Sequence, residues 1–314
     1  MKHDPFDPKG LLTPPRQMTE GLLKSVFLSQ RQGMTLGQKI SMSLRRIRHW
    51  YELYDGNVHV TFSGGADSTV LLDMVRSIYP HVPAVFVDTG VEFPEIREFV
   101  RTVDNVVWVK PKKTFKQVCQ EYGYPVVSKE TSQKLHEVRT TKSEFMMKLR
   151  TTGVEGRKRQ TIPKKWQYLI DAPFKISHKC CYYLKKEPLF RYERATGSKP
   201  FVGVMAAESC ARLQSATEHG CFMFGKHPMC RPMSFWTQAD SHAYLAMIDH
   251  CVLYDPPFNF TRTGCMFCGY GVDQESPNKF QKMAVTHPRI HRLALPAMGI
   301  DKVMEFMKQP IGAT

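Results

Sequence analysis

Apolar positions along this chain follow two periods. Leu36, Ile40, Leu44, Ile47, Trp50 and Tyr54 recur at helical spacing behind Thr35, a residue suited to capping, until Asp55-Gly56 stops the run. A short β-type run, Val58 to Phe62, leads into Ser63-Gly64-Gly65-Ala66-Asp67-Ser68 and a helix with Val70, Leu71, Met74, Val75 and Ile78 on one face. Ala84 to Val87 predicts a second buried strand that runs into Asp88-Thr89-Gly90, and Phe93-Pro94-Glu95 opens a helix through Val103. Val106 to Val109 predicts a third, followed by a helix carrying Phe115, Val118, Cys119 and Tyr122. Phe201 to Met205 reads as a fourth strand, and Thr237 to His250 as a helix with Asp240 in its first turn. Strands alternating with helices predict an α/β fold with a doubly wound, mostly parallel sheet.

The alternation fails between about 128 and 170, where eleven Lys and Arg stand against four Glu. This basic insert predicts either a solvated helical hairpin or a platform for phosphates, centred on Arg157, Lys158 and Arg159 with Lys164 and Lys165. Residues 1–33 are mixed and proline-bearing and read as a surface arm. The expected plan is an N-terminal arm and helix over 1–55, an α/β domain over 56–250, and a C-terminal segment over 251–314. Across all 314 residues the formal charge is +15, which points to a polyanionic partner, nucleic acid or nucleotide phosphates, or simply to a basic solvated surface. No apolar run is long enough to span a bilayer, and the first twenty residues carry aspartates and prolines where an export signal needs an apolar block, so a reducing cytoplasm is the expectation.

Two constellations carry chemistry. A glycine pair between a strand and a helix turns the backbone tightly and aims N–H groups and a helix dipole at an anion, with Ser63 and Ser68 adding hydroxyls. The loop has neither the spacing nor the lysine of a Walker A. Separately, Cys180-Cys181 and the Cys265-x-x-Cys268 pair, with 83 residues between them, offer four soft ligands suited to an iron-sulfur cluster or tetrahedral zinc; free core thiols are the bland alternative. An odd total of nine cysteines argues against a disulfide framework. Cys119 and Cys251 read as small core hydrophobes, Cys210 as a candidate reactive thiol, and Cys221 and Cys230 with His219 and His227 as a minor metal-site candidate.

Ser63-Gly64-Gly65-Ala66-Asp67-Ser68 resembles the SGGxDS loop of the PP-loop ATP pyrophosphatases, or adenine nucleotide alpha hydrolases. Val85 to Gly90 with Glu92-Phe93-Pro94-Glu95 resembles the "vDTGxxFPE" segment of the phosphoadenylyl-sulfate (PAPS) reductase branch. The resemblance implies that Phe62 and Ser63 line the adenosine side, that Gly64, Gly65, Asp67 and Ser68 meet the phosphates, and that Asp88, Thr89 and Gly90 are the second strand's contribution. Gly203 to Arg212 resembles the family's GxRxxES..R stretch, retaining Glu208, Ser209 and Arg212 but carrying Met205 where reductases commonly have an anion-binding arginine. The context His178 to Leu189 around the cysteine pair is similar to that of the 4Fe-4S cluster of adenylyl-sulfate (APS) reductases, with Lys179, Lys185 and Arg262 expected to offset its charge.

Within that resemblance the expected ligands are ATP with Mg²⁺ and a 4Fe-4S cluster, with Ser63, Asp67, Ser68, Glu208 and Arg212 as the catalytic set. Reductases carry a nucleophilic cysteine near the C-terminus, and none follows Cys268 here. The leading expectation is therefore an ATP-cleaving enzyme that adenylates a nucleic acid and inserts sulfur, with a sulfur-donor protein as partner. A sulfonucleotide reductase and a non-catalytic nucleotide or redox sensor are the alternatives.

Overall fold

The computed structural model describes residues 20–156 and 160–312. In chain order the helices and strands are α1 (Glu20–Gln32), α2 (Leu36–Leu53), β1 (Val58–Phe62), α3 (Ala66–Arg76), β2 (Ala84–Val87), α4 (Pro94–Thr102), β3 (Val106–Val109) and α5 (Phe115–Tyr122). They continue as β4 (Val126–Val127), α6 (Lys129–Thr140), α7 (Glu144–Thr151), α8 (Glu187–Thr196), β5 (Lys199–Val202), α9 (Cys210–His219), β6 (Phe222–Met223) and β7 (Met229–Cys230). The C-terminal part adds α10 (Gln238–Leu245), β8 (Gly269–Tyr270), α11 (Lys279–Thr286), α12 (Pro288–Ala297) and α13 (Ile300–Phe306).

The main sheet runs β3-β2-β1-β5-β7-β6, parallel except for the last pair, and β4 with β8 forms a second, two-stranded parallel sheet. The chain winds outward from β1 to β3 and returns to the other side of β1 as β5. The crevice beyond the carboxyl ends of β1 and β5 is thus the switch point where such sheets bind ligands. β1 and β2 are buried nearly throughout because helices cover both faces, which explains the unbroken apolar run of β2 and the burial of His59 within β1.

Three predicted strands have the expected bounds. The fourth is displaced: β5 begins at Lys199, pairs Val58 with Lys199 and His59 with Pro200, and ends at Val202, so Gly203-Val204-Met205 leaves the sheet toward the crevice. The predicted helix Thr237–His250 stops at Leu245; Thr237 caps it with Asp240 in a reciprocal box. Part of the expected surface arm is a helix: α1 packs against α9, with Leu28 buried. Helix α2 starts at the predicted cap, Thr35, in a box with Gln38. Its Lys39 is buried against Asp240 at 2.6 Å, and Arg46 lies over the Phe235 ring, so its basic residues do not all face solvent.

Candidate functional site

Between β1 and α3 the chain turns through Ser63-Gly64-Gly65. Gly64 sits at a φ of 68°, and a Cβ there would lie 2.9 Å from Ile96 Cγ2, so both conformation and space demand glycine. The turn is knit by its own side chains. The Ser63 N–H donates to Ser68 Oγ at 3.1 Å, the Gly65 N–H to Ser63 Oγ at 3.3 Å, and the Ser68 hydroxyl to the Gly65 carbonyl at 2.9 Å. From elsewhere, Tyr254 Oη accepts the Ala66 N–H at 2.8 Å and lies 3.1 Å from Thr263 Oγ1, while the Ser241 hydroxyl donates to Asp67 Oδ1 at 2.6 Å. The turn is therefore shaped by protein contacts that include the C-terminal segment.

A cavity of about 340 Å³ opens on this turn. Ser63, Gly65, Asp67 and Ser68 line one side; Gly203, Met205, Glu208 and Arg212 line another; Gln238, His242, Tyr254 and residues 261–264 complete it. Glu208 forms an ion pair with Arg212 and accepts the Met205 N–H at 2.9 Å. Burial, then neighbouring Arg262, push the Arg212 guanidinium below its ordinary value, with Asp67 acting the other way. Two guanidiniums beside a serine- and glycine-rich turn suit a polyphosphate. A smaller cavity of about 120 Å³ shares Thr61, Ser63, Thr263 and Gly264 with the first and is walled by Phe62, Phe86, Val87 and Ile96, with Lys185 and Glu92 as its charged groups.

The predicted residues do not all converge. Asp88, Thr89 and Gly90 line neither of these two cavities: the Asp88 carboxylate accepts from Arg97 at 2.9 Å and from the Gly90 N–H at 3.2 Å, and the Thr89 hydroxyl donates to Glu92 at 2.6 Å. Gly64 acts through the turn's shape. Tyr254, Thr263, Ser241 and His242 were missed, because they come from segments whose approach to the loop leaves no local pattern.

The cysteines are held on two supports. Cys180 and Cys181 precede a widened, π-helical turn, Tyr182–Lys186, that feeds α8. The Cys265–Cys268 pair is tethered by the Met266 N–H, which donates to the Val91 carbonyl at 2.8 Å, and by β8, which pairs Gly269 with Val126. The Lys279 ammonium donates to the carbonyls of Cys265 and Cys268, each at 2.8 Å. A hydrogen bond between the adjacent thiols, followed by burial, pushes Cys180 up; the same bond, with Lys185 and Lys129 opposing burial, lets Cys181 fall. Burial raises Cys265, and raises Cys268 to about 11, so a metal would have to displace protons there. Lys185 is raised, first by Cys265, and faces both the cysteines and the small cavity beside Ser63.

Among the described residues no three His, Cys, Asp or Glu side chains are gathered as a ready-made ligand set. The four thiols nevertheless act electrostatically on one another across the two supports, and their soft donors with two facing ammonium groups fit a negatively charged metal–sulfide group. Lys279 was not foreseen there. Arg262, expected beside the cysteines, lines the loop cavity instead. The minor metal candidate does not assemble: His227 stacks on Phe190 at 4.0 Å, and His219 faces Glu218. Cys119 and Cys251 are buried as expected, and Cys210 is exposed at the start of α9.

The basic insert spends part of its charge on protein partners, within itself and outside it. Lys134 pairs with Glu130, Arg150 with Glu137 and Lys165 with Asp273, and Arg139 donates to the carbonyls of Ala172 and Phe174. Lys164 is exposed; Arg157, Lys158 and Arg159 lie outside the described residues. No described helix is long and apolar enough to cross a membrane.

Residues 57–153 match the model of the phosphoadenosine phosphosulfate reductase domain. The adenosine 5'-phosphosulfate reductase of Lysinibacillus sphaericus is 31% identical over 87 residues, which are 26% of this chain and 37% of that protein. The enzyme of the same name from a Chelativorans species is 24% identical over 291 residues, 88% of this chain and 94% of that protein. Among solved structures, a phosphoadenylyl-sulfate reductase from Candida auris in a phosphate complex aligns with a TM-score of 0.41 at 16% identity, covering 79% of this chain and 96% of that one. Residues 57–153, with the Ser63–Ser68 turn near their start, are thus the part of the chain that is similar to the phosphoadenosine phosphosulfate reductase domain.

Proposed function

We propose that this chain is an adenine-nucleotide-dependent enzyme that cleaves ATP between its α and β phosphates and activates an acceptor oxygen on a nucleic acid for replacement by sulfur. The carrying observation is the makeup of the cavity of about 340 Å³: the serine-glycine turn, Arg212 and Arg262 surround it, while Met205, 2% exposed, stands where the resemblance gives reductases an arginine. A polyphosphate finds its cationic partners there, and a sulfonucleotide loses one bidentate donor.

In this reading the adenine enters the apolar cavity walled by Phe62, Phe86, Val87 and Ile96, and the phosphates lie on the turn. Glu208 is engaged with Arg212 and the Met205 N–H, which leaves Asp67, oriented by Ser241, to hold Mg²⁺. The acceptor oxygen attacks the α-phosphorus, and the α–β bridging bond breaks with its electrons leaving on pyrophosphate. Arg212, Arg262 and the turn neutralise that charge. A hydrosulfide equivalent from the sulfur donor then forms the new bond to the acceptor atom as AMP departs with the original oxygen. Cys180, Cys181, Cys265 and Cys268 would hold a 4Fe-4S cluster, which supplies an electron-rich metal–sulfide face near the nucleotide. Lys185, facing both the cysteines and the small cavity, would carry positive charge between them.

The second reading, reduction of a sulfonucleotide, is favoured by the likeness to adenosine 5'-phosphosulfate reductases. Two assays on anaerobically purified protein separate them. Pyrophosphate release from ATP, stimulated by DNA or RNA, supports the first; sulfite release from APS or PAPS with a thiol donor supports the second. ATP binding without either turnover supports a sensor.

A further inference from the structure

The edge of the main sheet carries an aromatic stair away from the loop cavity. Trp50, fully buried on α2, stacks with Phe222 of β6 at 5.9 Å and 8° between planes; Phe222 stacks in turn with Phe224 at 6.5 Å. The His49 ring meets Phe222 at 5.2 Å. The stair ends in the open, since Phe224 is 65% exposed at the tip between β6 and β7.

Cations are carried by the helix and the turn that bear these rings. Arg45, Arg48 and His49 lie on the exposed face of α2, at the one-turn spacing of a shared helix face, and Lys226 is exposed two residues beyond Phe224. Arg31 and Arg45 both act electrostatically on Arg46, which brings the end of α1 to the same surface. Among the described residues, Arg45, Arg48 and Lys226 make no ion pair. Glu52 lies one turn past Arg48, and both act electrostatically on Tyr79. An exposed ring that continues an existing stack, with an unpaired cation two residues along its turn and others on the solvent face of the adjoining helix, matches what an unstacked base and its phosphates require.

We infer that Phe224, with Arg45, Arg48 and Lys226, forms a binding surface for single-stranded nucleic acid. This rests on the nucleic-acid reading above and relocates the contact from the basic insert to α2 and the β6–β7 turn. A duplex presents no free base face to Phe224, so a single strand is the better fit. Helix α2 runs from this surface to Lys39, bound to Asp240 of α10, and α10's Gln238 lines the loop cavity; a strand lying along α2 is thereby directed toward the nucleotide.

Fluorescence anisotropy with labelled fifteen-nucleotide single strands tests this on the full chain. Phe224→Ala is expected to weaken binding about tenfold, the loss of one stacked base, and Phe224→Trp to restore it. The triple change Arg45→Gln, Arg48→Gln, Lys226→Gln should reduce the slope of log affinity against log salt by about 2. ATP turnover without nucleic acid should be unchanged in all of them, because none of these residues touches the cavity. Affinity unaffected by these changes but lost with Lys148→Gln and Lys164→Gln overturns the surface and leaves the proposed function standing. Binding to phosphatidylserine vesicles that depends on Phe224, with no oligonucleotide binding, overturns it, and no oligonucleotide binding by the unaltered chain overturns both.

Discussion

Gly203→Ala probes how tightly β5 and the Ser63–Ser68 turn are coupled. Gly203 follows the last residue of β5, and a Cβ there would stand 2.9 Å from the Asp67 carbonyl oxygen, 3.1 Å from its carbonyl carbon and 3.3 Å from the Ser68 nitrogen. All three are backbone atoms of the first turn of α3, so no rotamer relieves the contact, which is about half an ångström short of ordinary packing. Relief requires the turn and β5 to part by that amount. The packing cost is about 1–3 kcal/mol, a fall of several degrees in Tm. The catalytic cost is larger in proportion, because misplacement by about 1 Å costs on the order of a hundredfold; a ten- to hundredfold loss of nucleotide turnover is expected with the fold intact. Gly37→Ala is the control: nothing lies within 4 Å of its Cβ, and the change in the first turn of α2 should stabilise by up to about 1 kcal/mol without affecting turnover. Calorimetry with an ATP titration reads both quantities. A Gly203→Ala protein with lowered Tm but unchanged nucleotide affinity and turnover would refute the claim that β5 sets the turn's position.

Other consequences are equally open to measurement. Lys39 and Asp240 form a buried pair whose bonds, with those of Thr237, hold Asp240 below the usual carboxylate range against the opposing effect of burial; Lys39→Met should cost about 3–5 kcal/mol in urea unfolding, and a cost under about 1 would mean the pair is effectively solvated. Burial pushes His59 down to about 4, so it is neutral when folded and charges more readily when unfolded. The associated stability is fully present above about pH 6.5 and is lost as pH falls toward 4, on the order of 3 kcal/mol; His59→Gln should flatten that part of the curve, and an unchanged slope would assign it to other groups. Cys265→Ser should abolish iron and acid-labile sulfide in anaerobic preparations while ATP binding persists, and full retention of both would remove Cys265 from the ligand set.

The first three strands were plain in the sequence. Ala84–Val87 and Val106–Val109 are continuous apolar stretches, Val58–Phe62 is a β-type run broken by His59 and Thr61, and each is a strand with those bounds. Lys199 and Pro200 hid the start of β5, since its backbone pairing with Val58 and His59 comes from tertiary contact rather than hydrophobicity. Strands of two residues, such as β4 and β8, are too short to carry a period, although their pairing ties the cysteine segment to Val126 and Val127. Ser63 to Ser68 stood out by its strand–glycine–helix spacing, and Glu208 and Arg212 only by the family resemblance of their segment; the structure brings residues of both segments to one cavity. Tyr254 on the Ala66 N–H and Lys279 on the cysteine carbonyls were not readable, because each closes over a sequence separation or a turn that leaves no repeat.

The most direct test of the central claim is exchange of labelled pyrophosphate into ATP by the purified chain in the presence of single-stranded nucleic acid. Cleavage at the α–β bond with an adenylated acceptor predicts exchange that needs Mg²⁺ and is lost in Asp67→Asn. Orthophosphate release without exchange, or sulfite release from a sulfonucleotide by a protein inert toward ATP, would contradict it.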